Sequence, residues 1–152
     1  MTRYDYFNTL SRIIMKKIIG FDQAVRVILL MVCTLILFHA SILIGILGFD
    51  YAPIDLLWGG KMQTRQQLLI FEIASLSAVV LILWLVLIRA KKVNFSKLIV
   101  FSKIAMWFLF VMFMLNTVGN IIAPSNFERA FAIVTAALSV LFLRLAIEKS
   151  EV

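Results

Sequence analysis

Five polar or titratable side chains, His39, Glu72, Ser75, Asn116 and Asn120, stand inside predominantly apolar stretches. An imidazole and a carboxylate can share a proton, hold a cation, or act as a base and its orienting acid. Amides beside them can donate to and accept from a small polar solute or a headgroup. Ser75 follows Glu72 by three residues, and Asn120 follows Asn116 by four, so each pair shares a face if its segment is helical. Thr117 and Gly119 flank the two amides. Ser75 is the one nucleophile near this set, and no run of residues has the spacing of a catalytic, nucleotide, metal or cofactor motif, so no catalytic residue, metal or cofactor is assigned. The single cysteine, Cys33, excludes an intrachain disulfide and a cysteine-based zinc site and is read as inert packing.

The segments that carry these residues belong in a bilayer. Hydrophobic residues make up 63% of the 152-residue chain and charged residues 15%, and mean hydropathy is +1.04, values that do not suit a water-soluble domain. Apolar runs predict spans at about residues 25–47, 67–88, 98–123 and 128–146, each long enough to cross a hydrocarbon layer of about 30 Å. The third is longer than a minimal span, so it is expected to tilt or to begin in the interface with Lys103 reaching out. Ahead of the first span, residues 6–19 place Tyr6, Phe7, Leu10, Ile13, Ile14 and Ile18 at helical spacing beside Arg12, Lys16 and Lys17. A basic amphipathic helix lying in the headgroup plane is expected there. The fold expected is thus an all-α membrane protein: a short interfacial segment over 1–24, a four-transmembrane-helix bundle over 25–146, and a tail over 147–152.

Charge orients the bundle. Arg3, Arg12, Lys16, Lys17, Arg26, Arg89, Lys91, Lys92, Lys97, Lys103, Arg144 and Lys149 fall on one side, and Lys61, Arg65 and Arg129 on the other. Twelve against three across short loops predicts both termini in the cytoplasm of a plasma membrane, facing anionic lipid headgroups. The net charge of +7 has no single folded face on which to gather, so nucleic acid is not an expected partner. The longest connection, 48–66, then faces outward with Leu57-Trp58-Gly59-Gly60-Lys61 and Arg65 in it. Paired glycines beside two cations would suit an anion, while a tight turn with Trp58 as a headgroup anchor accounts for the same residues; the spacing is not that of a P-loop.

On this topology the polar residues share one depth, in the outer halves of their helices. His39, Glu72 with Ser75, Asn116 with Asn120, and a stripe of Glu128, Ala132, Thr135 and Ser139 come one set from each span. A carboxylate in hydrocarbon costs on the order of 3 kcal/mol, so Glu72 is expected to face the bundle interior or an aqueous cavity, where it can accept from His39, or else to reach water or Arg65 at the outer boundary. The amides and hydroxyls serve equally as ordinary interhelical bonds.

His39, Trp58-Gly59-Gly60-Lys61, Glu72 and Asn116-Thr117-x-Gly119-Asn120 together resemble a group of small bacterial four-helix membrane proteins that lack an assigned function, over roughly residues 25–146. The resemblance implies a bacterial cytoplasmic membrane and no mechanism. The residues themselves suggest binding or permeation of a small polar solute, ion or lipid headgroup, with transport requiring a homo-oligomer because four helices rarely enclose a pathway. An accessory subunit of a membrane complex is the alternative reading, and a membrane-embedded enzyme the third.

Overall fold

The computed structural model describes residues 17–58 and 62–149. Most of the amphipathic segment expected at 6–19, together with Gly59, Gly60 and Lys61, lies outside these residues. The described chain is all helical. Four helices are each long and apolar enough to cross a membrane: α1 (Phe21–Gly48), α2 (Arg65–Arg89), α3 (Ile99–Ile121) and α4 (Asn126–Ile147).

Local chemistry sets the ends. The Gln23 side chain accepts from Gly20 N–H at 3.1 Å, so α1 begins at Phe21, four residues ahead of the first apolar run, and carries Asp22 and Arg26 in its opening turns. Thr64 caps α2 by accepting from Gln67 N–H at 3.2 Å. Ser125 caps α4 by accepting from Glu128 N–H at 3.1 Å, and its hydroxyl donates to the Glu128 carboxylate at 2.9 Å. Both are side-chain caps of the kind that satisfy otherwise orphaned amides. One 3₁₀ turn, Ser96–Leu98, leads into α3, and another, Ile54–Leu56, interrupts the long connection.

The helices run alternately up and down, so one end of the bundle gathers the start of α1, the end of α2, the start of α3 and the end of α4. This is the basic end; the opposite one, with residues 49–58 and 62–64 across it, is the loop end. α3 packs most extensively on α4, and α1 on α2, with α1–α4 and α2–α3 contacts joining the two pairs. α4 is the central helix: half of its apolar window is buried within the molecule, against 17% for α1. Ile28, Val32, Val86, Met106, Leu138, Phe142 and Leu145 form the main core, and a smaller one of Ile46, Leu57 and Leu68 sits under the long connection. Exposed Leu, Ile and Phe side chains cover the outside, as a lipid-facing surface requires. Cys33 lies on that exposed surface rather than in the packing.

Candidate functional site

Glu72 is the centre of the loop end. It sits on α2, 1% exposed, and each of its oxygens has its own partner. Oε2 is 2.7 Å from His39 Nδ1 on α1, and Oε1 accepts from Trp58 Nε1–H at 3.0 Å. Three elements therefore converge on one carboxylate: two spanning helices and the connection between them. An ionised carboxylate only accepts, and with Glu72 in that form Nδ1 carries the hydrogen of this pair. His39 Nε2 then has no partner among the described residues, and the imidazole is 15% exposed. A carboxylate that fixes one ring nitrogen determines the tautomer and aims the other outward.

Trp58 reaches Glu72 only through an unusual backbone. Its φ is 56°, in the left-handed region that a bulky residue rarely enters, and among the described residues of this connection Asp50, at φ 54°, shares it. A conformation of this kind costs about 1–3 kcal/mol and persists where surrounding contacts determine it. Here the indole stands edge-on to Phe71 at 5.2 Å and donates to Glu72, so both α2 neighbours hold the ring in place. Trp58 is thus a ligand of the buried carboxylate as well as an interfacial aromatic.

Arg65 takes a different partner from the one its sequence position suggests. Its guanidinium binds Asp50 at 2.9 Å and the Ile46 carbonyl, tying the start of α2 to the end of α1 and leaving Glu72 to His39 and Trp58. Ser75 is half-buried one turn along α2 and joins neither oxygen of Glu72.

Beside this set lies an apolar cleft of about 160 Å³, lined by Phe38, Ile42, Tyr51, Pro53, Leu56, Leu57 and Phe127. Cavities of that size take a molecule as large as benzene. Phe38 joins the two features: its ring meets His39 edge-on at 5.4 Å and stacks on Phe127 at 6.1 Å.

The amides of α3 do not enter the His39–Glu72 set. Asn120 donates to Thr135 Oγ1 on α4 at 3.4 Å, and Thr117 donates to the same hydroxyl at 3.0 Å. Ser139, one turn further on the buried stripe of α4, donates to the Phe110 carbonyl at 3.0 Å. These are bonds within the α3–α4 seam, which makes them helix-packing contacts. Asn116 is exposed on the outer surface of α3. The polar residues that share a depth thus divide into a His39–Glu72–Trp58 site, an α3–α4 seam, and one amide facing outward.

A fourth polar group, at the basic end, is invisible in the charge pattern. Arg89 and Arg144 are 3% and 2% exposed. Arg89 donates to the Leu145 and Glu148 carbonyls at 3.1 and 2.7 Å, and Arg144 to the Ile19 carbonyl at 3.0 Å and the Glu148 carboxylate at 2.6 Å. Both guanidiniums lie against the Phe21 ring, 5.6 and 5.9 Å from its centroid. The available signal is that Arg144 stands among Leu143, Leu145, Ala146 and Ile147, with apolar residues on both sides. A boundary charge would have a polar flank.

Among the described residues, no group of three or more His, Cys, Asp or Glu side chains could hold a metal ion. Comparison with protein families, with curated proteins and with solved structures finds no match to this chain.

Proposed function

We propose that the loop end binds an amphiphile, its apolar part in the Phe38–Phe127 cleft and its headgroup against His39 Nε2. The observation that carries this reading is the saturation of Glu72. With both oxygens engaged and the group out of water, the carboxylate serves to fix His39, and the exposed ring edge is what meets a ligand. An unprotonated Nε2 accepts a hydrogen bond, so the headgroup sought is an O–H or N–H donor. Trp58 holds the connection closed over the same carboxylate.

His39→Asn separates binding from folding. The Asn amide nitrogen occupies the place of Nδ1 and can still donate to Glu72, while nothing replaces Nε2. In nanodiscs, octanol and octylamine are expected to raise the thermal midpoint of the unmodified protein and to leave that of His39→Asn at its ligand-free value. Equal stabilisation of the two proteins would sink the reading.

The same proposal places the loop end outside the cell, on the asymmetry of twelve lysines and arginines against three. The basic end then meets anionic headgroups of a bacterial cytoplasmic membrane. In a Cys33→Ser background, Met62→Cys is expected to react with an impermeant thiol reagent added to intact cells, and Ser96→Cys to stay unreacted. The opposite pattern reverses the orientation.

A further inference from the structure

Hydroxyls on the exposed surface of the spans have acceptors in their own helices. Thr34 donates to the Leu30 carbonyl at 3.0 Å, Ser41 to Phe38 at 2.7 Å and Ser77 to Ile73 at 2.8 Å. Asn116 is different. Its amide is exposed, and among the described residues it makes no hydrogen bond. An amide has two donors and an acceptor to satisfy, and this one is not bonded back to its own helix as those hydroxyls are.

Its depth makes this costly. Ser96–Ile121 is 26 residues, about 39 Å of helix; centred upright on a hydrocarbon layer of about 30 Å, it overhangs by about 4–5 Å at each end. Asn116 lies five residues before Ile121, about 7–8 Å along the axis, which sets it just inside the hydrocarbon. Lipid chains offer it nothing to bond.

We infer that Asn116 is the centre of a contact between two copies of this chain, made α3 to α3. Chains inserted with one orientation present the same residue at the same depth, so a two-fold axis normal to the bilayer brings Asn116 against Asn116. An amide is complementary to itself: each side chain donates to the carbonyl oxygen of the other. The surface around it allows the approach. Gly119, one turn further on the same face, has no atom within 4 Å of where a side chain would begin, leaving room for a neighbouring backbone.

The test uses the full chain in liposomes, in a Cys33→Ser background because Cys33 is itself exposed. Energy transfer between labelled copies, followed as protein is diluted into lipid, gives the dimer dissociation constant. Asn116→Leu is expected to raise it about tenfold, the size of effect an interhelical amide bond supplies, and Asn116→Gln to stay within about threefold of the unmodified protein. Gly119→Leu is expected to weaken the dimer as well while leaving the thermal midpoint in detergent unchanged, since the monomer has open space there. Under oxidation, Asn116→Cys is expected to give a disulfide-linked dimer, and Val111→Cys, on the far side of α3, to remain monomeric. Dilution curves for Asn116→Leu that superimpose on those of the unmodified protein overturn the inference, and so does rapid labelling of Asn116→Cys by a water-borne reagent, which would show the amide to be hydrated.

Discussion

The two ends of the bundle each bury charge, and they satisfy it in opposite ways. At the loop end the carboxylate of Glu72 rests on two side chains, an imidazole and an indole, one of them on a connection held in an unfavourable backbone conformation. At the basic end Arg89 and Arg144 rest on main-chain carbonyls at Leu145, Glu148 and Ile19, with a single carboxylate added. Carbonyls at helix ends lack partners within their own helix and cannot turn away, so the arginines both satisfy them and lock three helix termini together. Side chains can turn, exchange partners and meet a ligand. Equal burial therefore marks a clasp at one end and, at the other, the site proposed for the amphiphile.

Removing one partner at each end should show this difference, with the largest loss at the clasp. Arg144→Met leaves the Glu148 carboxylate and the Ile19 carbonyl without their donor, and breaking a buried pair costs about 3–5 kcal/mol; the low end applies because Glu148 is partly exposed. Unfolding in mixed micelles is expected to show a loss of about 3 kcal/mol with no change in amphiphile binding. Glu72→Gln keeps the shape and one acceptor oxygen, so a loss of about 1–3 kcal/mol is expected together with disappearance of the stabilisation by octanol. If Glu72→Gln costs more stability than Arg144→Met and retains the octanol response, the assignment of clasp and site is inverted. Trp58→Phe removes the indole N–H and part of the ring while keeping an aromatic side chain against Phe71. A loss of about 1 kcal/mol is expected, with faster amide exchange confined to residues 50–57. The smallest effect belongs to the α3–α4 seam, where Asn120→Ala should cost about 0.6 kcal/mol and add to Glu72→Gln without coupling, since the two residues share no partner.

Much of this was legible in the sequence. Apolar run length determined the four spans, and the cost of a carboxylate in hydrocarbon pointed Glu72 toward the bundle interior but left His39, Arg65 and water open as its partners; Arg65 pairs instead with Asp50. The Asn116 and Asn120 pair shows where periodicity stops being enough. At about 100° per residue, positions four apart differ by about 40°, which is sufficient to put one side chain into the α3–α4 seam and the other outside it. Trp58 was legible as an interfacial aromatic; its reach to Glu72 depends on a φ of 56° that no local propensity encodes. The same connection shows that positive φ follows tertiary contact and is not restricted to glycine, since Asp50 and Trp58 both adopt it. Arg89 and Arg144 count correctly toward the charge asymmetry. Their burial depends on how α1 and α4 cover them, and a count of charges has no access to that.

The bond from Arg144 to the Ile19 carbonyl spans 125 positions of the chain. During synthesis the first three helices enter the bilayer well before α4, the helix against which both α1 and α3 pack. Until α4 arrives, Arg89 lacks the carbonyls that later receive it and stays hydrated among the headgroups. Closure of the basic end therefore waits on α4, which supplies both the carbonyls that receive Arg89 and the guanidinium that reaches Ile19. A chain cut short before Asn126 would keep three of its four spans and lose that closure.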